Sequence, residues 1–157
     1  KHMMKGKFRM STKDNKKIAR LFFVILDTGD LRSTNEIIAE DFVNHNPFPD
    51  LRSDREGFRE FIAMMRTAFP DLRIAIEDQI AEEDIVVTRY KAQGTHRGTF
   101  LGIPATGRPA TWSAFAQHRI VRGKIKELWF QWGQFDMAQQ LDWIPEPALI
   151  VQRAGGI

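Results

Sequence analysis

Cysteine is absent from all 157 residues, which excludes a disulfide framework, a thiolate zinc site and a thiol nucleophile. A chain without thiols suits a reducing compartment, and a cytoplasmic location is the expectation. No apolar run reaches membrane-spanning length and the start of the chain lacks the apolar core of a secretion signal, so no membrane partner is expected. There is no glycine-rich phosphate loop opening a helix and no nucleophile elbow. No His-x-His, His-x-x-x-His or Glu-x-x-His pair occurs, so the spacing gives no support for a metal site.

What is present is a hydrophobic fraction of 43%, enough for the core of one domain of this length. The formal net charge of +3 is unevenly placed. Residues 1–17 hold seven Lys/Arg and one acid, leaving a mildly acidic body behind a basic tail. A solvated tail is the expectation and nucleic acid is not an expected partner. Lys1-His2-Met3 ahead of Met4 reads as a cloning remnant. The chain divides on this reading into a basic tail (1–13), one domain (14–144) and a C-terminal tail (145–157).

Ile18, Leu21, Phe22, Ile25 and Leu26 recur at helical spacing and stop at Thr28-Gly29-Asp30. A weaker helical pattern covers 31–39, and the segment 41–47 is short, mixed and broken by Pro47, which leaves His45 at a chain corner. Ser53-Asp54-Arg55-Glu56 has capping-box spacing, with Phe58, Phe61, Ile62, Met65 and Phe69 repeating helically up to Pro70. From Leu72 the period changes to two. Ile85–His96 and Thr111–Val121 read as strands, Arg97–Pro109 as a Gly/Pro loop, and Val121-Arg122-Gly123-Lys124 as a tight hairpin into the strand carrying Trp129, Phe130, Gln131 and Trp132. Helices first and a mostly antiparallel, curved sheet afterwards make an α+β fold with a cavity between the layers. Residues 136–141 are long enough for a closing helix.

With these segments in view the chain resembles the SnoaL-like polyketide cyclases of the NTF2-like superfamily. The likeness rests on Phe42-Val43-Asn44-His45-Asn46-Pro47, Ala68-Phe69-Pro70-Asp71-Leu72, Gly94-Thr95-His96-Arg97-Gly98, Gly102-Ile103-Pro104-Ala105-Thr106-Gly107, the run from Arg119 to Trp129, and Gln139-Gln140-Leu141. The resemblance implies a cone-shaped α+β barrel. It also implies a small-molecule enzyme without cofactor, a cyclase of the intramolecular aldol type, an isomerase or a hydrolase, acting by acid/base chemistry on a hydrophobic, oxygenated, polyketide-like ligand. Where the family commonly carries an Asp four residues after the strand's Trp, this chain has Gly133. The alternative is a non-catalytic protein that binds an apolar small molecule.

The residues themselves offer several candidates. His118 shares a strand face with Trp112, Ala114 and Ala116, and is the first candidate for a base; its alternative is a place in the core. His45, which the resemblance places at the cavity wall, is the second, with a hydrogen bond to nearby backbone as its alternative. Gln131 is a candidate to polarise a ligand carbonyl, Trp112 to stack on a flat ring, Trp132 to bind the ligand, with core or dimer interface as the alternative for the aromatic residues, and Arg89 to bind an oxyanion, with a scaffold ion pair to an acid such as Glu127 as its alternative. His96 is a further binding candidate, with loop shaping as its alternative. Aromatic residues on the open sheet face predict a second copy of the chain as partner, a homodimer.

Overall fold

The computed structural model describes residues 10–144, an α+β arrangement in which helices lie against a five-stranded mixed sheet. Helix α1 (Thr12–Thr28) opens with the Ser11 hydroxyl accepting the Asp14 N–H and closes at Gly29. Gly29 sits at φ +74°, the left-handed conformation that ends helices at little steric cost. Its buried face is rotated from the expected one: Ala19, Phe22, Phe23, Ile25 and Leu26 are buried, whereas Leu21 points outward. Phe23 packs on Tyr90 of the sheet at 4.7 Å, and this contact sets the rotation.

A short 3-10 turn and α2 (Thr34–Ile37) lead into β1 (Ile38–Asn44), the strand that sequence reading missed. The segment 41–47 was expected to be irregular because Pro47 breaks it. The break falls three residues beyond the strand, whose partner, β5 (Lys124–Trp132), lies about eighty residues away and runs parallel to it. Helices and sheet are therefore interleaved along the chain, with β1 preceding α3 (Arg55–Ala68). Asp54, not Ser53, caps α3, its side chain accepting the Gly57 N–H at 2.9 Å. Strands β2 (Arg73–Glu82), β3 (Ile85–Thr95) and β4 (Pro109–Val121) complete the order β1-β5-β4-β3-β2, antiparallel except at β1. The β4–β5 turn places Arg122 and Gly123 at φ +51° and +75°, as a two-residue hairpin of this hand requires. Short α4 (Gln134–Gln140) closes the end.

Three side-chain clasps hold the layers where the backbone ladders run out. Beyond the last β1 pair, the Asn46 amide imitates a strand: its Oδ1 accepts the Phe130 N–H at 3.0 Å and its Nδ2 donates to the Phe130 carbonyl. Gln140 of α4 does the same to Thr111, at 2.8 and 2.7 Å, where β4 extends past β5. Asp71 accepts both the backbone N–H and the hydroxyl of Thr95 at 2.7 Å, and these bonds hold its carboxyl below the ordinary carboxylate value. Beside it Arg97 and Gly98 both donate to the Ala68 carbonyl, and a Cβ on Gly98 would stand 2.3 Å from the Thr67 oxygen. The segments around Phe69-Pro70-Asp71 and Gly94–Gly98 are thus two halves of one junction.

No helix among the described residues is long and apolar enough to cross a membrane. Asn46→Ala removes two hydrogen bonds and leaves the Phe130 backbone groups without partners. It should lower the unfolding free energy by about 1–3 kcal/mol in urea titration. An unchanged midpoint would show that β5 does not depend on the clasp.

Candidate functional site

The site begins with what the strands turn inward. Along β4 every second residue from Ala110 to Ile120 is buried, and the middle of that row is small: Ala114 and Ala116, opposite Tyr90 and Thr88 of β3, with Ala92 one inward step along β3, opposite Trp112. Side chains this short cannot reach the helices, and the space left is walled by aromatic residues. The larger lobe, about 410 Å³ including its open mouth, is bounded by α1, α3, the sheet and α4, with Trp112, Trp132, Phe48, Phe61, Phe100 and Met137 among its walls. A smaller lobe, about 280 Å³ when its opening to solvent is counted, is lined by Ala116, Leu128 and Asn44. Phe48 joins the walls through stacked or tilted contacts to Phe61, Phe100, Phe130 and Trp132 at 5.2 to 5.9 Å.

Among the described residues, two side chains besides Trp112 and Trp132 bring polar atoms to this apolar space. Tyr90, the chain's single tyrosine, lines both lobes. Its ring is buried, its hydroxyl bonds to no described residue, and the oxygen keeps access to open space. Burial pushes its ionisation well above the ordinary phenol value, so the hydroxyl stays protonated and acts as a donor. Asn44 lines the smaller lobe. Its Oδ1 accepts the Asn46 N–H at 3.1 Å, which fixes the amide orientation and leaves Nδ2 as a donor.

Of the sequence candidates, Trp112 and Trp132 line the larger lobe. The others lie elsewhere. His118 faces inward but lines neither lobe: Phe22 and Phe23 enclose it at ring distances of 4.6 and 5.8 Å, and both its ring nitrogens are sealed without partners. Burial lowers its pKa to about 3, so it is neutral at pH 7. The small side chains of Ala114 and Ala116 leave no ligand space beside His118, because the Phe22 and Phe23 rings of α1 pack against it, and its place is the core.

His45 is not at the cavity wall. It lies on the other face of the sheet, stacked on Trp129 at 4.2 Å and 3°, with Nε2 2.9 Å from Glu127 Oε1. Gln131 is likewise exposed on that face, because β5 sends Leu128, Phe130 and Trp132 inward and the residues between them outward. Arg89 is exposed and pairs with Glu77, not Glu127; Glu127 pairs with Arg119 at 3.0 Å. His96 is buried in the β3–β4 loop, its Nδ1 accepting the Thr106 N–H at 3.2 Å, and burial lowers its pKa.

Sequence reading missed Tyr90, Asn44 and Phe48. Period-two alternation within β3 puts Tyr90 on the buried face, and a lone tyrosine among apolar neighbours was the available signal. A fourth residue, Asp136, was hidden by the gap at Gly133. A Cβ built there would lie 3.3 Å from Asp136 Oδ2, so the first turn of α4 returns a carboxylate to the corner where position 133 has none. Asp136 is exposed and lies between Trp132 and Met137 in sequence, both wall residues of the larger lobe. Among the described residues no three His, Cys, Asp or Glu side chains are grouped to hold a metal ion.

The family model for the SnoaL-like polyketide cyclases matches residues 16–141. Among solved structures, IdmH from Streptomyces antibioticus, "a putative polyketide cyclase", is 30% identical, with a TM-score of 0.72, covering 82% of this chain and 98% of its own. AclR from Streptomyces galilaeus, "a putative hydroxylase", is 25% identical, with a TM-score of 0.78 and coverage of 92% and 90%. TsrD from Streptomyces laurentii shares the fold at 23% identity, with a TM-score of 0.79 and coverage of 86% and 99%. Comparison with curated proteins gave no match.

The packing of His118 has a measurable consequence. Its folded pKa lies below the ordinary histidine value, so as pH falls the unfolded chain takes the proton first. The stability is complete above about pH 6.5 and is lost from there toward pH 3, by up to ~1.4 kcal/mol per pH unit. His118→Leu should keep the fold, match or exceed the wild-type thermal midpoint at pH 8, and remove this component of the acid sensitivity. Identical slopes in the two proteins between pH 6 and 4 would contradict the burial account.

Proposed function

From the premise that the chain belongs to the SnoaL-like polyketide cyclase family, we propose that it is a cyclase acting on an apolar, oxygenated small molecule held in the two-lobed cavity. The observation that carries the reading is the combination of an almost wholly hydrocarbon lining with one protonated hydroxyl, that of Tyr90, open to the interior. Apolar walls bury a flexible chain in a folded conformation, which brings two of its carbons together and lowers the entropic part of the barrier. Tyr90 then donates to one ligand carbonyl and stabilises the negative charge that gathers on its oxygen.

Ring closure of the aldol type also needs a base. Asp136, at the corner beside Gly133, is the carboxylate we assign to that step. It accepts a proton from a carbon flanked by carbonyls. The resulting enolate carbon attacks a second carbonyl within the molecule, and a carbon–carbon bond forms as the carbonyl π bond breaks. The alkoxide regains a proton, and loss of water gives the cyclic enone. His118 has no part in this sequence, since it is neutral but walled off by Phe22 and Phe23.

A second reading, a binding protein for an apolar small molecule, is favoured by the absence of any carboxylate or imidazole from the cavity lining among the described residues. The two readings separate on one substrate. 1-Phenyloctane-1,3,7-trione carries a carbon between two carbonyls and a distant ketone, and closes to 2-benzoyl-3-methylcyclohex-2-enone with loss of water. The protein should accelerate this closure, followed by chromatography. Asp136→Asn should lower the rate by roughly 10²-fold and Tyr90→Phe by roughly tenfold or more. Closure no faster than in buffer, with the trione still bound, would decide for the binding protein.

The outer face of the sheet carries Phe115 and Trp129, and Ile80 at its edge is 69% exposed. We assign a second copy of the chain to this face. Sedimentation at micromolar concentration should give a dimer, and Phe115→Glu a monomer; a monomeric wild type would overturn the assignment.

A further inference from the structure

Four residues, Leu26, Phe61, Tyr90 and Phe130, line both lobes of the cavity. They form a waist. The rings of Phe61 and Phe130 stand 6.2 Å apart between centroids, and Tyr90 is held on the sheet side by Phe23 at 4.7 Å. The lobes extend from this waist along β4. The larger includes Trp112 and the smaller Ala116, four residues further along the same strand and about 13 Å away at the rise of a β-strand. The hydroxyl-bearing residue therefore stands between two apolar compartments and not at the end of one.

Resting on the ligand cavity proposed above, we infer that the substrate is a two-armed molecule: two apolar groups of unequal size joined at or beside a carbonyl. The larger arm lies among Trp112, Trp132 and Phe100, the smaller reaches past Phe61 and Phe130 to Ala116, and the joining carbonyl accepts from Tyr90. The chemistry of the walls leads to this class. A ligand with its oxygen at one tip would leave that tip in hydrocarbon and the Tyr90 hydroxyl without an acceptor, and both cost free energy. A single compact ring system would fill one lobe and leave the other empty. Ala116 sets the length of the smaller arm, because it is the floor residue of that lobe and any larger side chain there fills the space from below.

The test uses three simple probes. Acetophenone has one ring and a terminal carbonyl, benzophenone has two rings flanking its carbonyl, and diphenylmethane has the two rings alone. Each is titrated against the fluorescence of bound N-phenyl-1-naphthylamine. In the wild-type protein benzophenone should bind at least about tenfold more tightly than acetophenone, from burial of the second ring, and roughly fivefold more tightly than diphenylmethane, from the hydrogen bond. Ala116→Leu should abolish the advantage of benzophenone over acetophenone while acetophenone affinity changes by less than about threefold. Ala116→Val, a smaller filling, should give an intermediate ratio and covers the case in which the leucine variant does not fold; circular dichroism reports folding of both.

If benzophenone keeps its advantage in the folded variants, or has none in the wild type, the two-armed substrate is overturned while the cavity remains a ligand site. If the fluorescent probe and all three molecules fail to bind the wild-type protein, the cavity is no ligand site and both readings fall. Equal affinity of benzophenone and diphenylmethane would remove the carbonyl from the waist.

Discussion

The rest of the architecture depends on a row of small side chains. Ala114 and Ala116 face inward at the centre of β4, with Ala92 opposite Trp112 on β3, and short residues on the floor of a sheet cannot fill the distance to helices packed above it. Interiors are packed to crystal-like density, so such a deficit must be met by larger residues opposite or remain as space. Here both happen. Toward one end of β4, Phe22 and Phe23 of α1 come down on His118 and close the core, whereas around Tyr90 and Trp112 the walls stay apart. The same alternation thus makes a sealed core at one end of the strand and a cavity at the other.

Electrostatics is divided by the same sheet. The inner face carries polar groups whose ionisation is suppressed by burial, namely Tyr90 held protonated and His118 held neutral. The outer face carries the ion pairs, with Glu127 paired to Arg119 and hydrogen-bonded to His45, and Glu77 joining Arg89 and Lys91. On the function we propose, a reaction inside the cavity draws on hydrogen bonding and confinement from the walls, and on the exposed carboxylate beside Gly133. This is the reason for assigning the proton to Asp136 and the carbonyl to Tyr90.

Much of the fold could be read from local pattern. The periodicity of α1 and α3, the β4–β5 hairpin and the α4 segment all rest on neighbours in sequence, and the family resemblance supplied the arrangement. What could not be read depends on distant partners. Strand β1 is defined by parallel pairing to β5, and nothing near Pro47 announces it. Arg89 on the outer face found its acid on the adjacent strand, at Glu77, and not at Glu127. For the site the reading was half complete. Alternation put Trp112 and His118 on one inner face, but it was not carried to β5, where Gln131 and Trp132 point opposite ways; which inward residues meet ligand space and which meet a helix is decided by α1, whose rotation differs from the expected one by its exposed Leu21 and buried Phe23. Tyr90 was passed over as an ordinary strand residue, although an inward hydroxyl with no partner is the kind of polar group a binding site retains.

The central claim is that a ligand carbonyl lies on the Tyr90 hydroxyl inside an otherwise apolar cavity. Isotope-edited infrared spectroscopy of carbonyl-labelled benzophenone bound to the protein tests it most directly, because a hydrogen bond lowers the carbonyl stretching frequency and a hydrocarbon environment does not. The bound band should lie below its position in cyclohexane for the wild-type protein and return toward the cyclohexane position in Tyr90→Phe. The same band in both proteins, with the ligand bound to each, would contradict the account.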